Sequence, residues 1–117
     1  MEKILRQTYL FDFYSELLTQ HQRDIYEEVV CNDTSFSEVA QREGVSRQSI
    51  HELVRKCERQ LDAYEEKLHM MERFLAVKEH VGLIRKEAEG LRSDESMDPR
   101  RAGETIRGLC DRILEEL

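Results

Sequence analysis

Apolar residues recur at steps of three and four along nearly the whole chain, which is the period of a helix. Leu10, Phe13, Tyr14, Leu17 and Leu18 form the first stripe, widened by Tyr9 and Phe11, and predict a helix over 5–18. Thr19 with Gln22 is a capping box: the threonine oxygen accepts from the backbone while the glutamine reaches back. A second helix is therefore expected over 20–31, with Ile25, Tyr26, Val29 and Val30 inward. Asn32, Asp33 and Thr34 break it, because short polar side chains compete for the backbone. Ser35 and Glu38 repeat the box and open a short helix with Phe36, Val39 and Ala40 facing in. Gly44 ends it in the left-handed conformation. Val45 is expected to plug back into the core, and Ser46 to cap the next helix.

That next helix is unusual. From 47 to 89 there is no proline, and Gly82 is the one glycine. A continuous rod would be about 65 Å long, too long for one small core, so it must project or bend. Ile50, Val54, Cys57, Leu61, Tyr64, Leu68, Met71 and Leu75 alternate steps of four and three, a heptad seam. Met70, Phe74, Val77, Val81, Ile84, Ala88 and Leu91 form a second seam offset by one position, which predicts a bend between Met70 and Leu75. Asp98 and Pro99 read as a cap followed by proline at the first helical position, opening a last helix with Ala102, Ile106, Leu109, Ile113 and Leu117 on one face. The fold class is all-α. Its expected parts are a helical core over 1–60 with a helix-turn-helix at 35–60, an extended dimerisation helix over 61–91, a linker over 92–98, and a C-terminal helix over 99–117.

Composition agrees and narrows the field. Charged residues reach 37%, against a usual share of about 25%. Five glycines and one proline are too few for a turn-rich β fold. No apolar run approaches a membrane span. The first seven residues break apolarity too soon for a secretory leader, and Cys31, Cys57 and Cys110 suit reduced thiols, so a cytoplasmic setting is expected. The net charge of −7 should repel a phosphate backbone. It is spread unevenly: residues 1–34 carry −4, residues 35–60 carry +1, and 61–91 and 92–117 carry −2 each.

The positive window coincides with the helix-turn-helix spacing. Ala40 is small where two helices cross, Gly44 makes the turn, and Val39, Val45, Ile50 and Leu53 are the apolar contacts that set the angle. With Ile50, Val54, Cys57 and Leu61 inward, the outward side of the second helix carries Gln48, Glu52, Arg55 and Arg59, with Arg47 and His51 alongside. Arginine pairs with guanine and glutamine with adenine in the major groove. These six are the candidate DNA-binding residues; Glu52 is better explained by pairing with Arg55 or Lys56. Leu61, Tyr64, Leu68, Met71 and Leu75 are the candidate dimer contacts. His21, His51, His69 and His80 lack metal-ligand spacing with the cysteines. Cys57 reads as a small buried hydrophobe. Glu65, Glu66, Glu115 and Glu116 read as solvated helix faces. No catalytic, cofactor or metal-binding set emerges, and a non-enzymatic protein is expected.

The run from Tyr9 to Tyr14, then Leu17-Leu18-Thr19 with Gln22-Arg23, Phe36 to Ala40, Val45 to Gln48, and Leu61 with Tyr64 to Leu68 resemble the bacterial YlxM family. The resemblance covers residues 4–75. It implies a helix-turn-helix similar to the fourth region of sigma factors, a homodimer, and a regulatory role in the signal recognition particle (SRP) pathway. The implied partners are DNA, the SRP GTPases Ffh or FtsY, or the particle's RNA–protein assembly. Arg47 matches the first arginine of the sigma recognition helix. Ser49 stands where sigma factors have a second arginine, and Glu52 where they have glutamine, which weakens promoter recognition. An acidic adaptor acting on the SRP GTPase is the alternative function.

Overall fold

A computed structural model describes all of residues 1–117. It contains six α-helices and no strand: α1 Lys3–Tyr14, α2 Gln20–Tyr26, α3 Phe36–Glu43, α4 Arg47–Leu68, α5 Met70–Ser93 and α6 Pro99–Glu116. A 3-10 turn, Ser15–Leu17, follows α1, and a π-helical turn, Glu27–Cys31, extends α2. The all-α class expected from the periodicity is what the chain adopts. None of the helices is long and apolar enough to cross a membrane.

The chain divides into two units, Met1–Met71 and Glu72–Leu117. The first is built around α4. Leu10, Tyr14, Leu18, Ile25, Tyr26, Val39 and Ala40 from the earlier helices are buried, as are Ile50, Val54, Cys57 and Leu61 of α4. Aromatic rings fill the space between: Phe11 stacks on Tyr26 at 5.8 Å, and Tyr14 tilts against Tyr64 at 6.0 Å. Burial pushes the Cys57 thiol up to about 11, so it stays protonated and packs as a hydrophobe. The sequence reading sets a boundary at residue 60, but packing carries the first unit on to Met71 because Leu61, Glu65 and Met71 continue the buried line.

The caps explain where the helices start. Thr19 Oγ1 accepts from the Gln22 N–H at 3.2 Å, and the Gln22 side chain accepts from the Thr19 N–H at 3.0 Å. At α3 only half a box forms: Ser35 Oγ accepts from the Glu38 N–H, without the reciprocal bond. Ser46 caps α4 through the Ser49 N–H at 3.1 Å.

The long rod does not run from 47 to 89. It breaks at His69, whose φ of 55° and ψ of 27° are left-handed, just before the interval the offset seams indicate. The physical cause is a buried polar pair. Glu65 is 7% exposed, not solvated as its acidic run suggests. Its Oε1 accepts from the Tyr14 hydroxyl at 2.6 Å and from the Met71 N–H at 2.9 Å. The same Tyr14 oxygen accepts from the Met70 N–H at 3.0 Å. Two backbone donors that a helix start leaves orphaned are thus satisfied by side chains. The first seam is therefore an interrupted core line, buried through Leu61 and again at Met71, while Tyr64 is half-buried and Leu68 is 45% exposed.

In the second unit, Asp98 caps α6 through the Arg100 N–H at 3.1 Å, with Pro99 at the first position as the sequence predicts. Ala102 and Leu109 are the buried residues of α6. The second seam is not a buried line. Phe74, Val81 and Leu91 are exposed, while the half-buried side of α5 runs through Val77, His80, Ile84 and Glu87. Between α5 and α6, Asp94 Oδ1 accepts from the N–H and the hydroxyl of Ser96, which orders the linker.

Candidate nucleic-acid interface

Helices α3 and α4 cross at Gly44, whose φ of 70° and ψ of 30° place it in the left-handed region. Its N–H donates to the Gln41 carbonyl at 3.3 Å, and the Val45 N–H donates to the Ala40 carbonyl at 3.1 Å. This pair of bonds closes the helix end. Val45 does not enter the core; it is 46% exposed, because the turn carries its side chain outside the crossing. Val39, Ala40 and Ile50 are the buried residues that seat one helix on the other.

A β-carbon at Gly44 would meet nothing within 4 Å, so its requirement for glycine is purely conformational. Gly44→Ala is expected to destabilise the protein by about 1–2 kcal/mol. Gly82→Ala, at a helical position with equally open space, should instead stabilise by up to about 1 kcal/mol. Denaturant midpoints of the two variants check the opposite signs.

Arg42, the one cation of α3, is clamped. Its guanidinium donates to both oxygens of Glu28 on the π-helical turn and lies 3.6 Å from Glu43. These bonds hold the Glu28 carboxyl below its ordinary value. The cations of α4 behave otherwise. Arg47, Arg55, Lys56 and Arg59 are exposed and make no ion pair or hydrogen bond, and Lys3 at the start of α1 is equally free.

The neighbouring acids, by contrast, are engaged. Glu58 accepts from Gln7 Nε2 at 2.8 Å, and Asp62 pairs with Arg6 at 2.6 Å. Glu52 accepts from Gln48 Nε2 at 3.4 Å, not from Arg55 or Lys56 as helical spacing suggests. His51 is half-buried, with its ring 5.0 Å from that of Phe36. Of the six candidate DNA-binding residues, five lie exposed on α4 and His51 sits at their edge.

Beside this face runs a groove of about 440 Å³, lined by Lys3, Phe36, His51, Arg55, Glu58 and Arg59, with Val54 and Asp62. Sequence reasoning missed Lys3 and the pairing of the acids with α1. Both depend on contacts across more than fifty residues, for which periodicity carries no signal.

Two helices crossing at a left-handed glycine, the second with exposed, unpaired cations, define a helix-turn-helix protein. Residues 1–98 match the family described as "Putative helix-turn-helix protein, YlxM / p13 like". The chain belongs to this family, UPF0122. It is 35% identical over 113 residues to a UPF0122 protein of Shouchella clausii, covering 97% of this chain and 95% of that relative. It is 35% identical to UPF0122 protein YlxM of Bacillus subtilis over 83% of this chain and 88% of that protein. A UPF0122 protein of Oceanobacillus iheyensis is 42% identical over 63% of this chain and 70% of its own length.

Proposed function

We propose that this is a non-enzymatic DNA-binding regulator of the cytoplasm, which lays the exposed side of α4 against duplex DNA and acts as a homodimer. The observation that carries the reading is the imbalance on one face: Arg47, Arg55, Lys56 and Arg59 are unpaired, while Glu58 and Asp62 are already engaged by α1. Those free cations can replace condensed counterions on phosphate. The net charge of −7 opposes them at longer range, so binding is weak and strongly salt-dependent. Titration of labelled duplex at low and moderate salt tests this; absence of binding at low salt ends it.

A dimer doubles the cations and fixes the spacing of two recognition helices. Leu61 and Met71 are spent within the first unit, which leaves Leu68 as the exposed seam residue there, near a half-buried Tyr64. Leu68→Asp is expected to give a folded monomer by sedimentation. A dimer that survives the substitution places the subunit contact elsewhere.

The acidic remainder favours a second reading, an adaptor in the SRP pathway that modulates the SRP GTPase. Residues 1–34 carry −4 and can meet a basic protein surface; the pathway itself rests on the family resemblance. Pull-down with the GTPase, with and without the particle's RNA, tests it. Charge reversal at Arg55 and Arg59 separates this activity from DNA binding.

A further inference from the structure

We infer that the groove beside α4 is a phosphate clamp for duplex DNA, and that Lys3 of α1 is the cation that closes it. This rests on the DNA-binding reading and adds to it a residue outside the helix-turn-helix. A helix with its side chains is about 10–12 Å across and fills a major groove about 12 Å wide. A phosphate strand must therefore pass along each flank of a docked recognition helix. On the flank facing α1, α4 offers the open groove of about 440 Å³.

Three cations line that groove, Lys3, Arg55 and Arg59, and no acid holds any of them. Arg55 and Arg59 stand one helical turn apart, about 6 Å along the axis, and can grip successive phosphates of one strand. Lys3 faces them from a different helix, so an anion in the groove is held from two sides.

The groove also contains Glu58 and Asp62, which would repel a phosphate if they were free. Arg6 pairs with the second and offsets its charge; Gln7, which is neutral, only holds the first in place, and the three groove cations outnumber the one negative charge left. Helix α1 thus contributes three successive polar contacts to one place: Lys3 as a free cation, and Arg6 and Gln7 as groups that occupy the acids. Phe36 and His51, whose rings lie 5.0 Å apart and tilted at 36°, form part of the remaining wall and bring no negative charge. An extended polyanion lying along α4 fits this open, cation-lined shape; an uncharged ligand does not.

The test measures anisotropy of a labelled random-sequence duplex with the full chain across a series of salt concentrations. Lys3→Ala is expected to weaken binding about tenfold at low salt and to lower the slope of log K against log salt by about 0.9. Asp62→Asn, which frees Arg6 and removes one negative charge, is expected to tighten binding and steepen the slope. Lys86→Ala, an exposed cation on α5, should match the wild type. All three positions are exposed on helices, and circular dichroism confirms that the variants fold.

If the wild type binds but Lys3→Ala behaves like Lys86→Ala, the clamp is overturned and the DNA-binding reading stands. If the wild type does not bind duplex at all, both are overturned. Lys3-dependent binding of single-stranded RNA or polyglutamate in preference to duplex overturns the assignment of the groove to DNA.

Discussion

Tyr14→Phe is expected to destabilise the protein by about 2–3 kcal/mol, far more than the loss of one hydroxyl at a surface. Tyr14 is 1% exposed, and its oxygen serves two partners, donating to Glu65 and accepting from the Met70 N–H. Phenylalanine leaves a buried carboxylate short of a donor and a helix start short of an acceptor. Tyr64→Phe is the internal comparison. The residue is half-buried, but its hydroxyl makes only a long, solvent-exposed bond of 3.4 Å to the Leu17 carbonyl, whose loss should cost less than about 0.5 kcal/mol. Equal urea midpoints for the two variants would show that the Tyr14 pair does not hold the break at His69.

Burial, followed by the bond to Glu65, raises the Tyr14 hydroxyl above its ordinary value of 10.0. For a group raised in the folded state, the stabilisation is full below the unfolded value and declines as pH climbs past it. The gap between Tyr14→Phe and the wild type should therefore narrow only in alkaline solution.

The double reversal Arg55→Glu/Arg59→Glu is expected to reduce duplex affinity by about a hundredfold or more at low salt. Both side chains are exposed and unpartnered, so the denaturant midpoint should stay within about 0.5 kcal/mol of the wild type. The slope of log K against log salt should fall by about 2 as two contacts disappear. Unchanged affinity would remove α4 from the interface and leave the adaptor reading in its place.

Much of this architecture is legible in the residue pattern. The Thr19 box, the Gly44 corner, the Ser46 cap and the Asp98-Pro99 start are local features, each set by residues within four positions of one another. The heptad seam locates the buried side of α4 as far as Leu61 for the same reason. Where contacts are distant, the pattern fails. Glu65 looks like part of a polar face until Tyr14 arrives from α1 to bury and bond it. Val45 looks like a core residue, yet the left-handed turn carries it outside. At the candidate site, spacing identifies the arginines of α4 and says nothing of Lys3, Arg6 or Gln7, because a second helix must be docked before they share a surface.

The clamp on Arg42 has a kinetic corollary. The first rod of the pair is seated by its buried Val39 and Ala40 and tied to the π-helical turn through Glu28, so its orientation is set by packing that precedes any encounter. The heads on the second rod hang loose, and each forfeits up to about 2 kcal/mol of rotameric freedom when it takes hold. On the DNA-binding reading proposed above, such a face suits short residence and rapid turnover on the duplex more than permanent occupancy.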